Sequence, residues 1–362
     1  MTPDKILQAV FRPEILALSA YHVADAAGLI KLDAMENPYG WPDSLLRDWL
    51  DRLRHCHLNR YPDPRALQLA ATIRRVFQIP EDCGLLLGNG SDEIIQLLIM
   101  ALTDDSVVLT PEPGFVMYGQ ISRCLGHRCQ GIPLQAQDFA LDMPAMRLAI
   151  GQLQPSLIFL AYPNNPTGNL FHRQDILEIL QLAPGLVIVD EAYAPFTDAS
   201  FMETLQDFPH LLVMRTVSKT GLAGLRLGYI AGHPELIAQL DKVRLPYNIN
   251  TLSQISADFA LSQKPLFDRQ TQEIYRQRSW LEERLQALSG ITVYPSQANF
   301  ILFRCEENRA TPVFQALKAQ GILIKNLHPQ GGLLQDCLRV TVGKPEQNQA
   351  FLQALKKALA SR

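Results

Sequence analysis

The stretch HLLVMRTVSKTGLAGLRLG, residues 210–228, joins an apolar run to two hydroxyls, a lysine and a glycine-rich turn. The run is short enough for a strand covered on both faces. Lys219 follows it, with Thr216 and Ser218 on alternate positions and Arg226 seven residues further on. An amine at the end of a buried strand is costly unless it has a partner or a reaction to perform. Outward from there, runs of the same kind recur: GLLLG (84–88), SVVLT (106–110), SLIFLAY (156–162), GLVIVDEAY (185–193) and RLGYIAG (226–232). Helical periodicity fills the gaps at 65–77, 91–103, 173–183 and 234–244. This alternation predicts an α/β fold with a mainly parallel central sheet and flanking helices. Ligands of such sheets sit beyond the C-terminal strand ends.

After Pro246 the pattern changes. A helical stretch runs over 251–288, interrupted near Pro265. It is followed by ITVYPSQANFILFRC, a helix TPVFQALKAQ, strands GILIKN and CLRVTVG, and a last helix over 345–360. This reads as a smaller α/β domain. The expected organisation is an N-terminal arm, 1–35, with one or two short helices packing on the small domain, a large domain over 36–255, and the small domain over 256–362.

The chain has 362 residues, 47% of them hydrophobic, so a large core is available. Its 33 basic residues nearly balance 36 acidic ones, which argues against a nucleic-acid binder. The six cysteines show no CxxC spacing and read as reduced thiols of a cytoplasmic protein. His55-Cys56-His57 lacks a third ligand nearby, so no metal is expected. No signal pattern opens the chain, and no apolar run suits a membrane helix.

Four strand ends carry polar residues that a core does not require. GNGSDE (88–93) allows a tight turn at Gly88 and Gly90, and the following helix start offers free amides to an anion. Taken alone it is a turn with Ser91 as N-cap; if an anion binds, Asp92 and Glu93 must point away from it. AYPNNPTGN (161–169) is a fixed loop with Asn164 and Asn165, or an ordinary turn. VIVDEAY (187–193) buries Asp190 with Tyr193 three residues on, or caps a helix with Asp190. The lysine of the opening stretch, alone, reads as a surface residue.

Together the four fit one cofactor, pyridoxal 5'-phosphate. It needs an amine to condense with its aldehyde, a carboxylate at the pyridine nitrogen, hydrogen bonds to the ring oxygen and a phosphate cradle. Lys219 is the candidate amine and proton carrier, and Asp190 the carboxylate. Asn165 and Tyr193 suit the ring oxygen. Ser91, Ser218 and Arg226, with amides at the helix start beside Gly90 and Asp92 and with Thr216 close by, suit the phosphate.

The motifs NNPTG, DEAY, SKTGLAGLRLG and CLRVTVG resemble those of the fold-type I aminotransferases. LDAMENPYGWP (32–42), RYPDP (60–64) and PGFVMY (113–118) extend the likeness along nearly the whole chain. The resemblance implies amino transfer between L-histidinol phosphate and 2-oxoglutarate, giving imidazole-acetol phosphate and L-glutamate, a step of histidine biosynthesis. It implies a homodimer in which Tyr61 reaches the partner subunit's cofactor phosphate, with no nucleic-acid or membrane partner. Phe115 matches the aromatic residue that stacks on the pyridine ring. Arg339 matches the arginine that grips the substrate's anionic end. Tyr21, Asn37 and Tyr39 fall in the N-terminal segments that close over the substrate, and Lys325 stands where many members have a second arginine. The Lys219–Arg226 spacing is one residue shorter than in the best-known members, and Phe115 replaces a tyrosine of some. An aromatic amino acid aminotransferase, a decarboxylase of a phosphorylated amino acid, and a non-catalytic regulator on the same scaffold are the alternatives.

Overall fold

The computed structural model describes residues 2–20 and 24–360. The first strand, β1 (Ile30–Lys31), pairs with a strand near the far end of the chain. The next seven form the central sheet: β2 (Gly84–Gly88), β3 (Val107–Glu112), β4 (Arg128–Pro133), β5 (Leu157–Ala161), β6 (Leu186–Asp190), β7 (Leu211–Thr216) and β8 (Gly228–Gly232). Their spatial order is β2-β8-β7-β6-β5-β3-β4. Every pairing is parallel except those of β8, which runs against both β2 and β7. The expected mainly parallel α/β sheet is therefore present. β5 is buried at all five positions, as a strand covered by helices on both faces requires.

β4, with sequence RCQGIP, has no counterpart among the predicted strands. It is an edge strand, half-exposed and carrying glycine and proline, so it lacks the apolar run that marks its neighbours. Helices at Asp43–Leu53, Val116–Leu125 and Met143–Leu153 are likewise additions to the sequence reading. The stretch 251–288 is two helices, Thr251–Leu261 and Lys264–Gln286. Pro265 lies in the first turn of the second, where its missing N–H has no intrahelical acceptor to lose.

A smaller antiparallel sheet follows, from β9 (Ile291–Val293) and β10 (Phe300–Cys305), then β12 (Lys325–Asn326) and β13 (Cys337–Thr341); between them β11 (Ile322–Leu323) pairs in parallel with β1. The order is β12-β13-β10-β9. One face of this sheet packs on helices Ala310–Ala319 and Pro345–Ala360 through Val313, Leu317, Phe351 and Leu355. Leu302 and Cys337 instead join the core of the central sheet, so the two sheets share apolar contacts.

The N-terminal segment divides. β1 joins β11 beside the small sheet, whereas helix Pro13–Leu16 packs on helix Val116–Leu125 next to the large one. The Arg12 guanidinium donates to the Cys124 carbonyl there. Of the N-terminal arm expected to pack on the small domain, β1 meets β11 there, while helix Pro13–Leu16 lies against the large domain instead. Neither N-terminal helix buries a residue, so their surface contacts alone hold them. Among the described residues no helix is long and apolar enough to cross a membrane.

Candidate active site

β7 ends at Thr216, and the chain turns through a short 3-10 segment, Ser218–Thr220, that carries Lys219. Gly221 follows at φ 112°, a conformation that favours glycine. Lys219 projects into a cavity of about 400 Å³ beyond the ends of the parallel strands. Asp190 at the end of β6 and Asn165 in the loop after β5 line the same cavity, with Tyr193, Phe115 and Thr216. Ser91, Asp92, Ser218 and Arg226 complete its polar wall. Clefts of about 530 and 640 Å³ open elsewhere, but neither holds Lys219 or Asp190. Convergence of chemistry, not size, singles out the smaller one.

Burial decides the electrostatics. It pushes the Lys219 amine down to about 8, with the nearby Arg339 charge acting in the same sense. Its Nζ lies 3.4 Å from the Ala34 carbonyl and 5.8 Å from the Tyr193 ring centre. Burial pushes the Asp190 carboxyl up to about 6, against hydrogen bonds from the Tyr118 hydroxyl at 2.6 Å and the Ala192 amide at 3.1 Å. Burial also raises the Tyr193 phenol, so it keeps its proton.

At the other end, Gly90 occupies the N-cap position of helix Ser91–Met100 at φ 86°. Ser91 is therefore the first helical residue and not the cap, because the chain enters the helix through a positive-φ, extended conformation (ψ 165°) that glycine adopts readily. The first amides of that helix have no intrahelical acceptor. A Cβ on Gly90 would meet Arg226 Nη2 at 2.6 Å, and one on Gly228 would meet the Ser91 amide nitrogen at 2.7 Å. Arg226 reaches the cavity despite the short Lys219–Arg226 spacing, with its own backbone left-handed at φ 49°. The two acidic residues behave differently. Glu93 turns away to the Asn89 amide and the Asn248 side chain. Asp92 does not point away: it lines the cavity and pairs with Arg226 at 3.1 Å, which offsets its charge.

Of the residues assigned to substrate, Asn165 lines this cavity and Arg339 is hydrogen-bonded to Asn165. Arg339 on β13 is buried, and its Nη1 donates to Asn165 Oδ1 while Nη2 donates to the Asp33 carbonyl at 3.1 Å. Asn37 donates to the Thr220 carbonyl at 3.2 Å and to Gln270 at 2.9 Å, so it braces the lysine turn. Tyr39 packs against the apolar cluster that contains Tyr193 and Phe300. Lys325 pairs across from Arg339 in the sheet register but does not line the cavity. Tyr61 is 80% exposed and stacks on Tyr247 with ring centres 4.5 Å apart, outside the cavity of its own chain. Tyr21 lies outside the described residues. Two contributors escaped the sequence reading. Glu36 lines the cavity from the N-terminal segment. Tyr118 stands one helical turn from Phe115, and that spacing was the available signal.

These features suit pyridoxal phosphate on the structure's own terms: a depressed amine, a buried carboxylate with donors fixed on both oxygens, and a helix start that added Cβ atoms would fill. Comparisons with known proteins agree. The profile of the family Aminotransferase class I and II matches residues 27–355. Histidinol-phosphate aminotransferase 2 of Nitrosococcus oceani is 56% identical, over 98% of this chain and 99% of that protein. The histidinol-phosphate aminotransferase structure from Clostridium acetobutylicum superposes with a TM-score of 0.84 at 25% identity, covering 92% of this chain and 100% of that one. The Sinorhizobium meliloti histidinol-phosphate aminotransferase, solved in complex with pyridoxal-5'-phosphate, gives 0.87 at 23% identity, covering 98% of each chain, and testifies to the fold. With a matching profile along nearly the whole chain and a relative more than half identical, this protein belongs to the class I and II aminotransferases.

Proposed function

We propose that the chain is a pyridoxal-phosphate-dependent histidinol-phosphate aminotransferase, exchanging L-histidinol phosphate and 2-oxoglutarate for imidazole-acetol phosphate and L-glutamate. The observation that carries the reading is the 56% identity, end to end, to a histidinol-phosphate aminotransferase, joined to a cavity with Lys219 and Asp190 both in it. When bound, pyridoxal phosphate supplies an aldehyde carbon and a ring that accepts an electron pair.

The chain's residues do the rest. With its amine lowered to about 8, Lys219 offers a usable fraction of neutral Nζ near neutral pH. That nitrogen would be the nucleophile that holds the cofactor, and it would take and return the substrate's α-carbon proton. Asp190 would hold a proton on the ring nitrogen, and Asn165 and Tyr193, which line the same cavity, would donate to the ring oxygen. Ser91, Ser218, Arg226 and the helix amides hold the cofactor phosphate. Phe115 offers a flat apolar face to the ring. Arg339 receives the phosphate of one substrate and the carboxylate of the other, since a guanidinium forks to either.

The protein acts as a cytoplasmic homodimer, with Tyr61 presented to the partner subunit's cofactor phosphate. The exposed Tyr61–Tyr247 stack, with Leu58 and Leu245 more than two-thirds exposed nearby in sequence, supports such a covered surface. The test is direct. Purified protein given pyridoxal phosphate, histidinol phosphate and 2-oxoglutarate should form glutamate in step with imidazole-acetol phosphate. Carbon dioxide released from a phosphorylated amino acid without glutamate would replace this reading by decarboxylation.

A further inference from the structure

On the reading above, Asp190 is the group on which electron acceptance by the ring depends, and among the described residues its side-chain donor is Tyr118. The Tyr118 hydroxyl donates to Asp190 Oδ2 at 2.6 Å, with both residues buried. The Tyr118 ring is clamped. It stacks on Phe159 of β5 with centres 4.4 Å apart and planes 5° apart. It meets Phe115 edge-on at 5.5 Å and 85°. Asp190 Oδ1 is held separately by the Ala192 amide. With one fixed donor on each oxygen, the carboxylate has little freedom to rotate. A tyrosine needs no hydroxyl to fill an aromatic slot, so the partnership with a carboxylate requires a chemical reason.

We propose that Tyr118 is a positioning residue for the transamination: its phenol keeps the Asp190 carboxylate ionised and aimed at the ring nitrogen, and so sets the pH range over which the cofactor is held firmly. The inference rests on reading Asp190 as the ring partner. A hydrogen bond to an ionised acceptor favours the charged form. Other groups around Asp190 do not replace it. Asp92, from helix Ser91–Met100, and Glu191, next along the chain, both oppose ionisation. Tyr193 keeps its proton and lies in the same wall. Lys219 and Arg226 line the cavity without a hydrogen bond to Asp190 among the described contacts. The phenol remains the donor throughout the working range, because burial and the Asp190 charge hold its own proton well above the ordinary value.

The experiment titrates cofactor-free protein with pyridoxal phosphate at a series of pH values, following difference absorption, for wild type, Tyr118→Phe and Asp190→Asn. Phenylalanine keeps the ring stack and removes only the hydroxyl. In Tyr118→Phe the acid-side midpoint of cofactor binding should move up by about one pH unit, and affinity near neutrality should fall about tenfold. A wild-type midpoint and affinity in Tyr118→Phe, with affinity lost in Asp190→Asn, would overturn the inference alone. Equal binding by wild type and Asp190→Asn would overturn the reading of Asp190 and the inference with it. Should Tyr118→Phe fail to fold, Tyr118→His retains an N–H donor. An unshifted or lower midpoint in that variant supports the inference, and a raised midpoint overturns it.

Discussion

Lys219 and Asp190 are charged groups placed where burial opposes charge, and the cofactor-free protein carries that cost. For Asp190 the sign follows from its carboxyl being raised to about 6 from an ordinary 3.8. Between those values the folded state binds more proton than the unfolded state, so stability falls as pH rises, and above about 6 the full penalty is present. Two pKa units correspond to about 3 kcal/mol. Lys219 runs the other way: lowered to about 8, it weakens the fold below that pH and is relieved as pH climbs toward its ordinary value. Asp190→Asn keeps the shape and one acceptor oxygen for the Ala192 amide while removing the charge, and its new NH2 can donate to the Tyr118 oxygen in place of the bond it loses. Cofactor-free Asp190→Asn should therefore be more stable than wild type by about 1–3 kcal/mol at neutral pH, with the gain vanishing near pH 4. Denaturant melts at the two pH values check this, and a less stable variant at neutral pH would contradict it. The two residues were legible in the sequence because polar groups at the ends of apolar runs are conspicuous. Tyr118 was not, since its partner lies 72 residues away and only the fold brings them together.

At the level of elements, the end of the site proposed to hold phosphate depends on two strand ends approaching closely. Gly228 opens β8 opposite Gly88, the last residue of β2, and its Cα faces the first amide of helix Ser91–Met100. A methyl group there would stand 2.7 Å from the Ser91 nitrogen and 2.9 Å from the Gly90 carbonyl carbon. Both are backbone atoms, so the helix start must shift. Gly228→Ala should weaken cofactor binding about tenfold or more while costing about 1–3 kcal/mol of stability. Fluorescence titration with pyridoxal phosphate alongside a denaturant melt separates the two effects; undiminished affinity would mean the helix amides do not hold the phosphate. The runs GLLLG and RLGYIAG announced these strands, but not that β8 is antiparallel. Strand direction is set by which connection can cross the sheet, and no local pattern encodes it. β4 was hidden for a different reason: an edge strand needs apolar residues on neither all positions nor strict alternation.

On the scale of the whole molecule, the site is a product of two sheets and of a segment that precedes both. Arg339 comes from the small sheet, Asn165 from the loop after β5, and the two are joined by a hydrogen bond beside the Asp33 carbonyl. Such long-range meeting is what a sequence pattern does not contain, although the resemblance supplied the residues. Tyr61 extends the same logic beyond one chain, because it lies outside its own cavity and, though stacked on Tyr247, leaves 80% of its surface open to a second subunit. If it completes the other subunit's phosphate cradle, the two halves of a site can be damaged separately. Lys219→Ala should abolish turnover, and Tyr61→Ala should lower it about tenfold or more through weaker cofactor binding. Each mixed dimer then contains one site with an intact Lys219 and a Tyr61 contributed across the interface. Random reassembly of equal amounts makes half of the dimers mixed, so about a quarter of all sites should be restored. Activity at subsaturating cofactor, measured after denaturing and refolding the two variants together, should exceed the mean of the separately refolded variants by about that fraction. Activity no greater than that mean, with mixed dimers demonstrated by differently tagged subunits, would place Tyr61 outside the neighbouring site.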